Sequence, residues 1–272
     1  MEKNLKQHFI LVHGFCHGAW CWYKLVTLLE KSGHKVTALD LGASGISMKQ
    51  INEIGSISYY VKPLMNFMVS LQPHDDDEKV ILVGHSYGGL CISLAMEAFP
   101  HKISVAVFVT AYMPNHIDPP ALLIQEYFRR TSMESLMDCQ FTFDQGMENA
   151  PTSAIFGSNY MQANLYKHCQ AEDLQLAKML IRPGKFFIED ISNEGLLTQE
   201  KYGSVKRVYV VCQDDLVMEE EFQMYNIEKS TPHEVKIIDK SGHMVMISQA
   251  QKLSICLQEI ASKNYQEQKI IN

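Results

Sequence analysis

Val80-Ile81-Leu82-Val83-Gly84-His85-Ser86-Tyr87-Gly88-Gly89 carries an apolar, β-branched run straight into Gly-x-Ser-x-Gly, and a helix-forming stretch at 90–99 follows. That order predicts a nucleophile elbow, a sharp strand-to-helix turn with a serine at its tip. The serine backbone at such a turn is strained and its hydroxyl exposed. Gly84 and Gly88 are expected there because a Cβ at either position would strike the neighbouring strand or helix. The bare pentapeptide is weak, since with each fixed residue type near ~7% of usage it arises by chance in roughly one chain in ten of this length. The strand before it and the helix after it make it specific. The expectation is a serine hydrolase.

Outward from this turn, strands and helices alternate. Strands are expected at 8–12, 35–41, 79–85 and 103–112. Helices are expected at 22–32, stopped by Gly33, at 59–71, begun or kinked by Pro63, and at 87–99, stopped by Pro100. Near-continuous apolar strands and repeated β-α-β units imply an α/β chain with a parallel, doubly wound sheet. From about 113 to 183 the alternation breaks, and Met, Phe and Tyr become frequent. This segment reads as an inserted, mainly helical cap, with a short helix at 121–130. Alternation resumes with strands at 207–212 and 234–239 and helices at 219–229 and 249–265. The count and order fit the α/β-hydrolase fold, with 1–112 and 184–272 as its core and 113–183 as the cap. The run His74-Asp75-Asp76-Asp77-Glu78 reads as a solvated loop before a buried strand rather than a metal site.

The chain has 272 residues and a net charge of −7, which argues against a nucleic-acid footprint. Charged residues interrupt every apolar stretch, so no membrane span is expected. The first eight residues lead into a strand without an apolar leader. Seven cysteines, an odd and dispersed set, suit free thiols in a reducing cytoplasm rather than a disulfide framework or a zinc site.

A serine hydroxyl needs a base to take its proton and a carboxylate to orient that base. In this fold the partners follow in the order serine, acid, histidine, each beyond a later strand. Asp214 and Asp215 follow the strand at 207–212, and strand phase does not choose between them. His243 follows the last strand in Lys240-Ser241-Gly242-His243-Met244; of eleven histidines it alone combines that order with a post-strand loop. His34, His74, His101, His116 and His233 lie in polar or turn contexts and read as surface residues. The tetrahedral oxyanion needs donors, which fall to the backbone N–H groups of Tyr87 and, in the loop His13-Gly14-Phe15-Cys16-His17-Gly18, of Phe15. The loop lacks both the dinucleotide fingerprint and the phosphate-loop Gly-Lys-Ser/Thr.

His13-Gly14-Phe15-Cys16-His17-Gly18-Ala19-Trp20 with Trp22-Tyr23-Lys24-Leu25 strongly resembles the plant methylesterase and hydroxynitrile lyase family. Gly33-His34-Lys35-Val36-Thr37-Ala38-Leu39-Asp40-Leu41, Leu176-Ala177-Lys178, Arg182-Pro183 and Tyr202-Gly203-Ser204-Val205-Lys206-Arg207 also match, so the resemblance covers about 8–261. It implies a triad of Ser86, Asp215 and His243, because the acid of the family falls in Cys-x-x-Asp, here Cys212-Gln213-Asp214-Asp215. Its oxyanion donors fall on Phe15 and Tyr87.

The lyases of the family carry a threonine where Gly14 stands and a lysine where Met244 stands; the threonine can hold the cyanohydrin hydroxyl and the lysine can stabilise departing cyanide, and Gly14 and Met244 do neither. The resemblance therefore implies a carboxylic ester hydrolase acting on a methyl ester of a plant hormone or alkaloid intermediate, the freed β-oxo acid in some cases losing CO2. A hydroxynitrile lyase, an alkaloid cyclase or decarboxylase, and a hormone receptor on the same fold are the competing readings. Substrate contact falls to Gly14, Tyr112, Leu136 and Met244. Leu136 replaces the tryptophan of a salicylate-type pocket, and Leu122, Phe128, Met133, Phe141 and Phe156 are further wall candidates. No metal or cofactor is called for. The partner is a small-molecule ester, and relatives imply a homodimer.

Overall fold

The computed structural model describes residues 6–71, 79–144, 146–148 and 151–271. The acidic run at 74–78 lies outside them. Six strands form the central sheet: β1 His8–Val12, β2 Lys35–Leu39, β3 Val80–Ser86, β4 Ile103–Ala111, β8 Arg207–Cys212 and β9 Glu234–Ile238. Their order is β2-β1-β3-β4-β8-β9, and every pairing is parallel. Alternate residues feed the two faces. Ile10, Val12, Leu82, Ala106 and Phe108 join one apolar core, while Phe9, Leu11, Ile81, Val83, Val105 and Val107 join the other. A sheet covered on both sides has no polar face, which is why its strands read as unbroken apolar runs.

From β1 the chain crosses outward to β2 and then back past β1 to β3, so the winding reverses between β1 and β3. A crevice opens at the carboxyl ends of strands at such a switch point. The loop after β1 and the elbow after β3 are its two lips.

Helices cover the faces at Tyr23–Lys31, Lys62–Ser70, Gly88–Ala98, Glu220–Lys229 and Ala250–Ile271. Gly33, at φ +90°, ends the first as expected. The stretch expected as one helix at 59–71 is two, Ile57–Tyr60 and Lys62–Ser70, because Pro63 starts a new helix in its first turn.

The segment from 113 onward carries helices Ala121–Arg130 and Ala171–Leu180, and also an antiparallel sheet of β5 Gln140–Thr142, β6 Ser153–Ile155 and β7 Gly184–Lys185. These strands, two or three residues long, are too short to show a period of two, so the sequence carries no trace of them. β7 also lies just past residue 183, where sequence alternation alone drew the end of the cap.

Candidate active site

Ser86 ends β3 at φ +53°, a left-handed conformation that costs a non-glycine residue of order 1–2 kcal/mol. The elbow holds it there. A Cβ on Gly84 would come 2.8 Å from the Gly88 carbonyl oxygen, and one on Gly88 would come 2.6 Å from those of Val12 and His13. The turn thus packs backbone on backbone, and only glycine admits it. The helix that follows, Gly88–Ala98, points its N-terminus at Ser86.

His243 stands in the loop after β9, and its Nδ1–H donates to Asp215 Oδ2 at 2.7 Å with both side chains buried. His243 thus bonds Asp215 and not Asp214, which is exposed. Asp215 is fixed from three further sides: Thr110 Oγ1–H donates to Oδ2 at 2.6 Å, and the N–H groups of Val217 and Met218 donate to Oδ1 at 2.7 and 3.0 Å. Buried Gln223 ties the same loop to β8, accepting from Cys212 N–H at 2.9 Å and donating to the carbonyls of Cys212 and Met218 at 2.8 and 2.7 Å. With Nδ1 committed as donor, the acceptor nitrogen of a neutral His243 is Nε2. Ser86 and His243 line one cavity.

That cavity, of about 650 Å³ with its mouth included, is walled by Gly14, Phe15, Tyr87, Tyr112 and Leu136 among the residues anticipated, and by Phe128, Phe141 and Phe156 of the cap. Two expectations fail. Leu122 and Met133 are 46% and 70% exposed on the outside of the cap, because the inward face of the Ala121–Arg130 helix is the one carrying Ala121, Ile124 and Phe128. Met244 is fully buried in the opposite core layer with Val245, Met246 and Leu253, and it is not a wall residue; the chain turns into a short helix at Val245–Ser248 and carries that side chain inward.

The Phe15 and Tyr87 amides donate to no protein acceptor among the described residues, and both residues face the cavity. Tyr87 occupies the N-cap position of its helix, where backbone N–H groups have no intrahelical partner. Phe15 is clamped by the cap: its ring stacks on Phe186 at 4.4 Å, and a Cβ on Gly184 would come 2.8 Å from that ring. Cys16, at φ +61°, donates its thiol to the Ala154 carbonyl at 3.3 Å, and Arg182 N–H donates to the Cys16 carbonyl at 3.0 Å.

Two histidines in the cavity wall escaped the sequence reading. His17 shares Nδ1–H with the Phe15 carbonyl at 2.8 Å and accepts from the Tyr166 hydroxyl at Nε2, also 2.8 Å, linking the oxyanion loop to the cap. Burial pushes its imidazole down to about 3, so it stays neutral. A π-helical turn, Met161–Leu165, delivers Leu165 to the cavity and sets Tyr166 against His17. His85 donates Nε2–H to the His243 carbonyl at 2.9 Å, with ring centroids 4.6 Å apart, and burial holds it well below its ordinary value. A neutral imidazole beside His243 leaves the base undisturbed by positive charge. His17 lay within the quoted Cys-His-Gly motif; for Thr110 and Gln223 the sequence holds no comparable signal. Among the described residues, no three His, Cys, Asp or Glu side chains stand close enough to hold a metal ion.

Residues 7–250 match the family described as alpha/beta hydrolase fold. The chain is 50% identical over 263 residues to methylesterase 10 of Arabidopsis thaliana, covering 97% of this chain and 94% of that one. It is 51% identical over 261 residues to methyl jasmonate esterase 1 of Vitis vinifera, covering 96% and 98%. The crystal structure of polyneuridine aldehyde esterase superposes with a TM-score of 0.88 at 43% identity, over 94% of this chain and 100% of that one.

Proposed function

The chain belongs to the plant methylesterase branch of the alpha/beta hydrolase fold family, and we propose that it cleaves the methyl ester of an uncharged plant small molecule through Ser86, His243 and Asp215. What carries this reading is the buried 2.7 Å bond from His243 to Asp215 beside a cavity that also exposes the elbow serine. The three relatives compared above are esterases by name: a methylesterase, a methyl jasmonate esterase and a polyneuridine aldehyde esterase.

His243 Nε2 takes the Ser86 proton as Oγ attacks the ester carbonyl. Asp215 holds the imidazole in the tautomer that can do so and stabilises the imidazolium that forms. The Phe15 and Tyr87 amides receive the oxyanion; loss of one such donor costs about 2.7–4 kcal/mol of barrier. His243 returns its proton to the departing methoxide, and water then cleaves the acyl-enzyme by the same route. Among the described residues no Lys, Arg, Asp or Glu lines the cavity. A neutral ester is therefore favoured inside it, while the carboxylate product finds no counter-charge and leaves.

The lyase reading is weakened at Gly14. A Cβ there would come 2.8 Å from the Ser86 Cβ and 3.0 Å from His85 Nδ1, so a threonine does not fit without moving the nucleophile. The scattered, unpaired cysteines favour a reducing cytoplasmic setting, and a homodimer is the assembly we expect. Among the described residues no helix is long and apolar enough to cross a membrane.

Ser86→Ala tests the covalent route. Methanol release from a panel of methyl esters falls by at least ~10³-fold. Near-normal turnover by that variant refutes the acyl-enzyme.

A further inference from the structure

On the far side of the cavity wall lies a second cleft, open to the outer surface between the end of the Ala121–Arg130 helix and the segment at 216–222, which enters the Glu220–Lys229 helix. Tyr127, Tyr160 and Val217 line both spaces, so the two meet at these three side chains. Tyr160 is buried, Tyr127 and Val217 half-buried. Burial raises the pKa of both tyrosines, which therefore stay un-ionised. The two compartments differ in chemistry. The inner one is largely aromatic, and no Lys, Arg, Asp or Glu among the described residues lines it. The outer one is lined by Arg129, Arg130, Ser132, Ser135, Asn164 and Glu219, among others.

The guanidinium groups there are already engaged. Glu126 accepts from Arg129 at 2.6 and 2.7 Å and from Arg130 at 2.7 Å, and these bonds hold its carboxyl down to about 2. Arg130 also lies over the Tyr225 ring at 4.7 Å. Glu219 forms no ion pair among the described residues, and Asn164 has only a 4.0 Å contact from its amide nitrogen to Met137 sulfur. Beside the N–H groups these pairs leave over, the cleft offers hydrogen-bond acceptors: a carboxylate, an amide oxygen and the lone pairs of serine hydroxyls.

We propose that this cleft is a second substrate subsite. It receives a distal, hydroxylated, uncharged part of an elongated methyl ester while the ester carbonyl sits at Ser86, and Tyr127, Tyr160 and Val217 enclose the apolar atoms between. The proposal rests on the esterase reading for the inner end only. Hydroxyl groups find acceptors in the outer cleft, where the carboxylates of Glu126, Glu219 and Glu221 outnumber the guanidiniums of Arg129 and Arg130, so an anionic tail gains no net attraction.

The test uses three methyl esters with one aromatic acyl core: a compact ester, one with an apolar tether ending in a hydroxyl, and one with the same tether ending in a carboxylate. Ser135→Trp fills the exposed cleft, and Glu219→Gln removes one acceptor charge with little steric change. For the hydroxyl-tailed ester, kcat/KM falls about tenfold or more in Ser135→Trp, through KM, the compact ester staying within about twofold. The unaltered enzyme prefers the hydroxyl tail to the carboxylate tail, and Glu219→Gln narrows that preference. Equal loss for the compact and tailed esters, or no loss for either, overturns the subsite. If the unaltered protein hydrolyses none of the three, the esterase reading fails, and calorimetric binding of the hydroxyl-tailed ester then decides the subsite. Weaker binding to Ser135→Trp upholds it, and equal binding overturns it.

Discussion

The floor of the cavity comes from the carboxyl ends of β1, β3, β8 and β9, and its roof from the cap. On the floor, position is set by short, directional bonds. Asp215 alone takes part in four, and the elbow admits no Cβ at Gly84 or Gly88. On the roof, position is set by rings packed edge to face, such as Phe128 on Phe186 at 5.4 Å and Phe15 on Phe156 at 6.0 Å. Directional bonds fix an atom to a fraction of an ångström. Ring packing fixes a shape and tolerates exchange of one ring for another. On the proposed mechanism the reaction resides in the floor and selectivity in the roof.

A floor substitution tests that division most severely. Asp215→Asn keeps the shape and loses the acceptor that sets the His243 tautomer, so kcat falls by about 10⁴-fold with KM little changed. A comparable rise in KM would mean that the acid loop also shapes the acyl pocket.

Acid titration probes the junction between the two regions. His17 in the folded chain takes a proton only at about 3, whereas unfolded it does so near 6.5. Between those values the unfolded state binds more protons, so stability falls as pH is lowered, by up to about 1.4 kcal/mol per pH unit for that one group. His8, lowered to about 4, adds to the slope. Denaturant midpoints measured from pH 7 to pH 4 show the decline, and His17→Gln flattens it. An unchanged slope would place the titration elsewhere.

In the roof, Leu136→Trp narrows the cavity. It lowers kcat/KM for bulky acyl groups about tenfold relative to compact ones, read by competing two methyl esters. Loss of all activity would show that the roof is no looser than the floor. The smallest effect is expected at Tyr166→Phe, which removes one hydrogen bond from His17. About 1 kcal/mol, or fivefold in kcat, is lost, with KM hardly moved, if cap docking steadies the Phe15 amide. A change in KM alone would assign Tyr166 to the roof.

The same division governs what could be read without coordinates. Buried parallel strands announce themselves as apolar runs, and the elbow glycines follow from a backbone clash that any serine at that turn imposes. The core strands were therefore expected within about two residues of where they lie. The place of His243 in a loop past the last strand was legible from chain order, whereas its pairing with Asp215 rather than Asp214 needed the Cys-x-x-Asp resemblance, because both aspartates lie past the strand. In the cap, β5, β6 and β7 left no periodic trace, and Leu122 and Met133 were taken for wall although they face solvent. An apolar residue on a short helix declares only that some face is buried. Which face depends on what the helix packs against.

The amino-acid order by itself determined the α/β sheet, the elbow at Ser86 and the sequence of chemical groups along the chain, because these follow from local periodicity and from steric limits within a few residues. Tertiary structure alone decided that His17 meets Tyr166, that Thr110 supports Asp215, that Met244 turns away from the cavity and that Tyr127, Tyr160 and Val217 line two spaces. Those contacts join residues far apart in the chain. Their partners are chosen by how whole elements pack, a choice that no short stretch of sequence encodes.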